Sequence, residues 1–258
     1  MKKTVLAIGL VLALSLSAAA SFEFYGGGSY NTFDPEALNA LIKEANDWAE
    51  KAEAAGGIEV VDVTKAEDLK SAFGAFGGVR YWVNPTMAVG GEVEYFGAKS
   101  EGSVEATYQQ GEAETTGSID ASVSASVTGF SGAGAFKASP ELTVFASAGY
   151  YYLNGEVAVK DDDDLLERLD DALDALDASK AKFSDKGLGF KAGVAFAYPI
   201  ADELSIVGRA AYRSLKFDEI EFDDKFGLEK EVYEIADLED EEIDFSGLEI
   251  GLGIVYNF

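Results

Sequence analysis

The final stretch of the chain, Leu248 to Phe258, constrains the fold more than any other segment. Its even positions are Leu248, Ile250, Leu252, Ile254, Tyr256 and Phe258, all apolar, and its odd positions are Glu249, Gly251, Gly253, Val255 and Asn257. Side chains alternate across a strand, so one face is a continuous apolar stripe and the other is mostly small or polar. A globular core with water outside asks for apolar groups inward. A barrel wall in a bilayer asks for the reverse, and a polar-lined strand ending on an aromatic residue suits that wall.

The opposite end of the chain reads as an export signal. Lys2 and Lys3 form a basic start, Val5 to Leu16 an apolar centre, and Ala18-Ala19-Ala20 a small-residue cleavage site. Residues 1–20 are therefore expected to be a signal peptide, leaving 21–258 as one barrel domain. No later segment has the long uncharged apolar run of a membrane helix, so a spanning chain of this kind must cross as a closed barrel.

Eight strand-like segments can be drawn, at 22–33, 71–83, 86–98, 127–138, 141–153, 187–198, 204–216 and 246–258. Asn84-Pro85, Ser139-Pro140 and the stretch from Pro199 to Glu203 join pairs of them by short breaks, where a missing backbone donor does no harm. The other connections, 34–70, 99–126, 154–186 and 217–245, are long. Alternating short turns and long loops are the pattern of an up-and-down antiparallel transmembrane barrel with long external loops. Two loops carry helical periodicity. Leu38, Leu41, Ala45, Trp48 and Ala52 share a face in 35–55, and Leu165, Leu166, Leu169, Leu173 and Leu176 share one in 161–178. The segment 99–126 ends in strict alternation and is expected to carry the third and fourth strands beyond the membrane.

Charges in the wall follow the same parity. With the bulky apolar residues outward, Glu23, Arg80, Glu92, Glu94, Lys191, Arg209, Arg213 and Glu249 all point inward, four acids and four bases. Burying them is tolerable only if they are matched and hydrogen-bonded. A barrel of this size has room for little besides side chains, so a salt-bridge network filling the lumen is the main expectation. A thin polar path for ions or small solutes is the alternative. Aromatic residues near strand ends, Tyr81, Tyr95, Tyr150, Tyr152, Tyr198, Tyr256 and Phe258, are candidates for the interfacial girdles.

Composition excludes several classes. The chain has no Cys and no His and a formal charge of −27. Thiol chemistry, Ser-His-Asp catalysis and histidine metal ligation are absent, and nucleic acid is repelled. Neither a cofactor motif nor a catalytic constellation is present. The runs Asp161–Asp164, Asp223–Asp224 and Glu239–Glu242 read as solvated loop charge, where loose binding of Ca²⁺ or Mg²⁺ could bridge to anionic lipid headgroups. A soluble exported barrel with an apolar ligand is a third class, and the inward charges oppose it.

Together, the leader, the eight alternating segments, the loop pattern and the terminal Tyr256-Asn257-Phe258 resemble the small outer-membrane β-barrel family of the outer-membrane protein A and X type. That resemblance implies a bacterial outer-membrane location and contact with membrane lipid. With the acidic external loops it points to a structural or surface-interaction role, and the lack of His and Cys points away from enzymatic activity. The resemblance also implies recognition of the last strand by the barrel assembly machinery, a role that would fall on Tyr256 and Phe258. The acidic, partly helical loops depart from the family pattern.

Overall fold

A computed structural model describes residues 21–54, 59–110, 113–162, 180–218, 220–222 and 242–258. The elements are β1 (Ser21–Thr32), α1 (Glu36–Ala54), β2 (Glu59–Thr64), β3 (Ser71–Trp82), β4 (Met87–Gln110), β5 (Ala113–Lys137), β6 (Leu142–Asp162), β7 (Lys180–Pro199), β8 (Leu204–Phe217), β9 (Glu221–Phe222), β10 (Ile243–Asp244) and β11 (Gly247–Asn257). Eight of the strands form a closed antiparallel ring in the order β1, β3, β4, β5, β6, β7, β8, β11. The seam closes between the two ends of the chain, from Glu23↔Asn257 to Asn31↔Glu249. Among the described residues no helix is long and apolar enough to cross a membrane.

All three short breaks lie at one end of the ring, together with the start of β1 and the end of β11. Asn84 makes the first turn. Its Oδ1 accepts from the backbone N–H groups of Thr86 and Met87, both at 2.9 Å. In the second, Ser139 Oγ accepts from the N–H groups of Glu141 and Leu142. The same end is fastened by Phe258 N–H donating to the Phe22 carbonyl at 2.8 Å.

At the opposite end the strands run on. β4 and β5 have 24 and 25 residues and stay in register to Gln110↔Ala113. About 10 residues suffice to span the apolar band, so more than half of this hairpin stands beyond it. β6 and β7 also continue past the ends assigned from sequence, pairing through Ala158↔Lys180. The reason is local. Outside the bilayer the outward face meets water and becomes charged (Glu156, Lys160, Lys182), while Leu153, Val157 and Phe183 keep an apolar inner face.

Between β1 and β2 the chain forms α1, whose inner face seats in the mouth of the barrel. Ala37, Leu38 and Ile42 are buried, and Leu41 packs against them. Two asparagines one heptad apart hold the returning chain to the helix. Leu69 N–H donates to Asn39 Oδ1 at 2.7 Å, and Asn39 Nδ2 donates to the Leu69 carbonyl at 3.2 Å. Asn46 repeats the pattern on Ala66, with both bonds at 2.9 Å. These pairs satisfy backbone groups that have no ladder partner. The second helical expectation, 161–178, lies outside the described residues except for positions 161 and 162, which end β6.

The outer wall is apolar around its whole circumference. Phe22, Phe24, Phe73, Val89, Tyr95, Phe130, Leu188, Phe190, Phe196, Ile250 and Leu252 all point outward and are exposed. Such a surface is unstable in water and is stable in hydrocarbon.

Candidate functional site in the barrel lumen

The eight inward charges come from six strands. β1 supplies Glu23, β3 supplies Arg80, and β4 supplies Glu92 and Glu94. Lys191 comes from β7, Arg209 and Arg213 from β8, and Glu249 from β11. None is more than 6% exposed. The ring brings six of them together in one central network, while Glu23 and Arg80 pair separately.

Lys191 is the hub. Its Nζ contacts a carboxylate oxygen of Glu92, Glu94 Oε2 at 2.6 Å and Glu249 Oε2 at 3.3 Å. Arg209 reaches Glu92 at 2.7 Å and Glu249 at 2.5 Å. β4 and β8 stand on opposite sides of the ring, so the Arg209–Glu92 pair spans the barrel's width. Lys191 and Arg213 face each other directly in the β7–β8 register, a like-charge pairing that is unfavourable alone. Glu94 relieves it, lying within 3.8 Å of Arg213 as well as beside Lys191. Arg213 also donates to Asn31 Oδ1 at 3.1 Å and to the Phe245 carbonyl at 3.4 Å. Nearer the short turns, Glu23 accepts from Arg80 and from the Trp82 indole, each at 3.1 Å.

Aromatic rings complete the network, and the inward-charge parity did not reveal them. The guanidinium of Arg209 lies 3.3 Å from the centroid of Phe76, that of Arg80 lies 4.1 Å from Tyr25, and that of Arg213 lies 3.9 Å from Phe96. Each cation therefore has carboxylate contact on its polar edge and a π face against its plane. Tyr25 in turn donates its hydroxyl to Glu92 at 2.9 Å. Tyr151, also fully buried, lies across two glycines. A Cβ on Gly129 or on Gly189 would collide with its ring, so those positions admit no side chain while the ring stays. The pleat at these sequence positions could have drawn attention to the inward tyrosines.

Two hydrophobic clusters pack around the ionic network and share the rings of Phe76 and Phe96 with it. One holds Phe76, Trp82, Phe145, Val207 and Val255 and encloses the Glu23–Arg80 pair near the short turns. The other, toward the long loops, holds Leu38 and Ile42 of α1 with Phe33, Phe96, Phe217, Ile243 and Phe245. Phe33, Phe96 and Phe217 all contact the ring of Phe245, with centroids 5.1 to 6.0 Å away.

Tyr256 and Phe258 lie on the outer face at the end of the seam. Their rings meet edge to face at 4.6 Å, and Phe258 also contacts Phe24 at 5.4 Å. The acidic runs suggested as loose cation sites lie outside the described side chains, apart from Glu242, which pairs with Lys216. Among the described residues no group of three or more acids is arranged to hold a metal ion.

Residues 4–258 match the family profile of the outer membrane protein beta-barrel domain. The chain belongs to that family. It is an outer-membrane barrel, located in the bacterial outer membrane with its apolar wall against lipid. Solved structures similar to the barrel include three outer-membrane proteins. Ail, the attachment invasion locus protein of Yersinia pestis, shares 12% identity, with 93% of this chain and 100% of that chain covered and a TM-score of 0.44. The N-terminal β-barrel domain of Pseudomonas aeruginosa OprF shares 12%, with 94% and 100% covered and a TM-score of 0.35. A major outer membrane protein from Thermus thermophilus shares 16%, with 93% and 100% covered and a TM-score of 0.42. No curated protein matches the sequence.

Proposed function

We propose that this outer-membrane barrel is a sealed structural element that presents an acidic external surface. The observation that carries this reading is the filling of the lumen by a paired, buried charge network interleaved with two hydrophobic clusters. A charge network with matched partners fixes strand positions around the ring, whereas a conducting path would need polar groups continuous from end to end. The tall β4–β5 hairpin and the acidic connections supply the surface. Catalysis has no part in this reading. The chain has neither His nor Cys, and the buried carboxylates are engaged by cations.

A narrow channel is the second reading, favoured only by the eight buried charges. Planar-bilayer recording separates the two. The sealed barrel gives no single-channel steps at any applied voltage, and reproducible unitary steps from the purified protein would overturn it.

The terminal residues carry a separate expectation, that Tyr256 and Phe258 are read during assembly. Deleting Phe258 should lower the yield of folded, heat-modifiable barrel in cells. The purified variant should still refold in detergent. Equal cellular yield would remove the assembly role.

A further inference from the structure

We propose that the outer wall across β6, β7 and β8 binds a membrane lipid with a zwitterionic headgroup, its phosphate on Lys186 and its amine on Asp218. A surface groove of about 890 Å³ lies there, lined by Tyr150, Tyr152, Asn154, Lys186, Leu188 and Asp218 among others. Strand register orders these residues by height. Tyr150 pairs with Leu188, then Tyr152 with Lys186, then Asn154 with Ser184. The groove therefore begins on the apolar wall, continuous with exposed Phe190 one step below, and ends among polar side chains. An amphiphile placed there has its chain on Leu188 and Phe190 and its headgroup beside the two tyrosines, the level at which aromatic girdles meet headgroups.

The charges in the groove select the headgroup. Lys186 is exposed and forms no salt bridge among the described residues, and neither does Asp218. The other lysine in the groove, Lys216, is taken up by Glu242 and by Asp244 at 3.7 Å. Asp185 also lines the groove, and one of its oxygens accepts from the Lys186 backbone N–H at 2.6 Å. Asp218 also acts electrostatically on Lys216, but neither it nor Lys186 makes an ion pair among the described residues, so the groove holds one cation and one carboxylate open to a ligand. A purely anionic lipid would meet a chain of net charge −27. A phosphate and an amine on one headgroup answer both groups.

The test is lipid retention by the full-length barrel in nanodiscs containing phosphatidylethanolamine, phosphatidylglycerol or diacylglycerol, read by native mass spectrometry. Phosphatidylethanolamine should be retained most and diacylglycerol least. K186Q should lower phosphatidylethanolamine retention about fivefold, as expected for one interfacial lysine. D218N should remove the preference over phosphatidylglycerol. Both side chains point to solvent, and unchanged heat-modifiability verifies that each variant is folded. Equal retention of the three lipids, or retention unaffected by K186Q, overturns the proposal. A preference for phosphatidylglycerol, or loss of binding on adding a chelator, also overturns it, in favour of an anionic lipid or a bridging divalent cation.

Discussion

Replacing Lys191 with Met should destabilise the barrel by about 3–5 kcal/mol, the cost of removing one partner from a buried ionic cluster. Three carboxylates, Glu92, Glu94 and Glu249, share that ammonium. Met matches the length of the lysine stem, so little packing is lost and the loss is electrostatic. Arg209 and Arg213 remain to serve the acids, but Arg213 stands at 3.8 Å from Glu94 and is already bonded to Asn31 and Phe245. The denaturant midpoint of the detergent-folded barrel reads the effect. Adding Glu94→Gln to the Lys191→Met variant should recover part of the loss, because it removes an acid left without its main partner. A shift of the single variant below about 1 kcal/mol would mean that the network is a passive filling rather than a source of stability.

The second large effect is expected at Leu38→Asp. Leu38 is fully buried in the hydrophobic cluster that α1 forms with Phe245, Ile243 and their neighbours. A carboxylate set among those apolar groups costs several kcal/mol. The helix can escape that penalty by leaving the mouth, which forfeits about 1.5–3 kcal/mol for each large apolar side chain exposed. Limited proteolysis should therefore cut within 34–70 in the variant and spare the wild type, while the barrel itself remains heat-modifiable. The unseated variant should still be silent in planar bilayers, since the ionic network and the hydrophobic cluster around Trp82 and Phe145 are untouched. Unaltered protease protection would contradict the seating of α1.

Much of the wall was legible from sequence because strand parity has a period of two. Once Leu248, Ile250 and Leu252 are outward, Glu249 has one direction left, and the same logic fixes Glu23, Arg80 and Lys191. Which charges meet was not legible. Glu92 reaches Lys191 and Arg209 because ring closure and stagger bring distant strands across the lumen, and neither quantity is written in local alternation. Strand ends were also obscured. Residues such as Glu156 and Lys182 look like loop in composition, yet they belong to strands whose outer face has passed from lipid into water. On α1 the inward position of Leu38 and Leu41 was readable, but Ala37 and Ile42 fell outside the expected face, Trp48 and Ala52 lie outside the described side chains, and the asparagine pairs with Leu69 and Ala66 were not readable. Asn39 and Asn46 are ordinary helix-surface residues until the chain that returns over them is known.

The seam between β1 and β11 joins chain segments more than two hundred positions apart, and the central ion cluster draws on β4, β7, β8 and β11 together. A partly zipped sheet would hold Lys191 and Arg209 facing an unfinished circle, with one carboxylate still missing. Completion and charge neutralisation thus become a single event. Insertion should then be all-or-none at its last step, and a chain lacking its final strand would be a stranded sheet instead of a smaller cylinder.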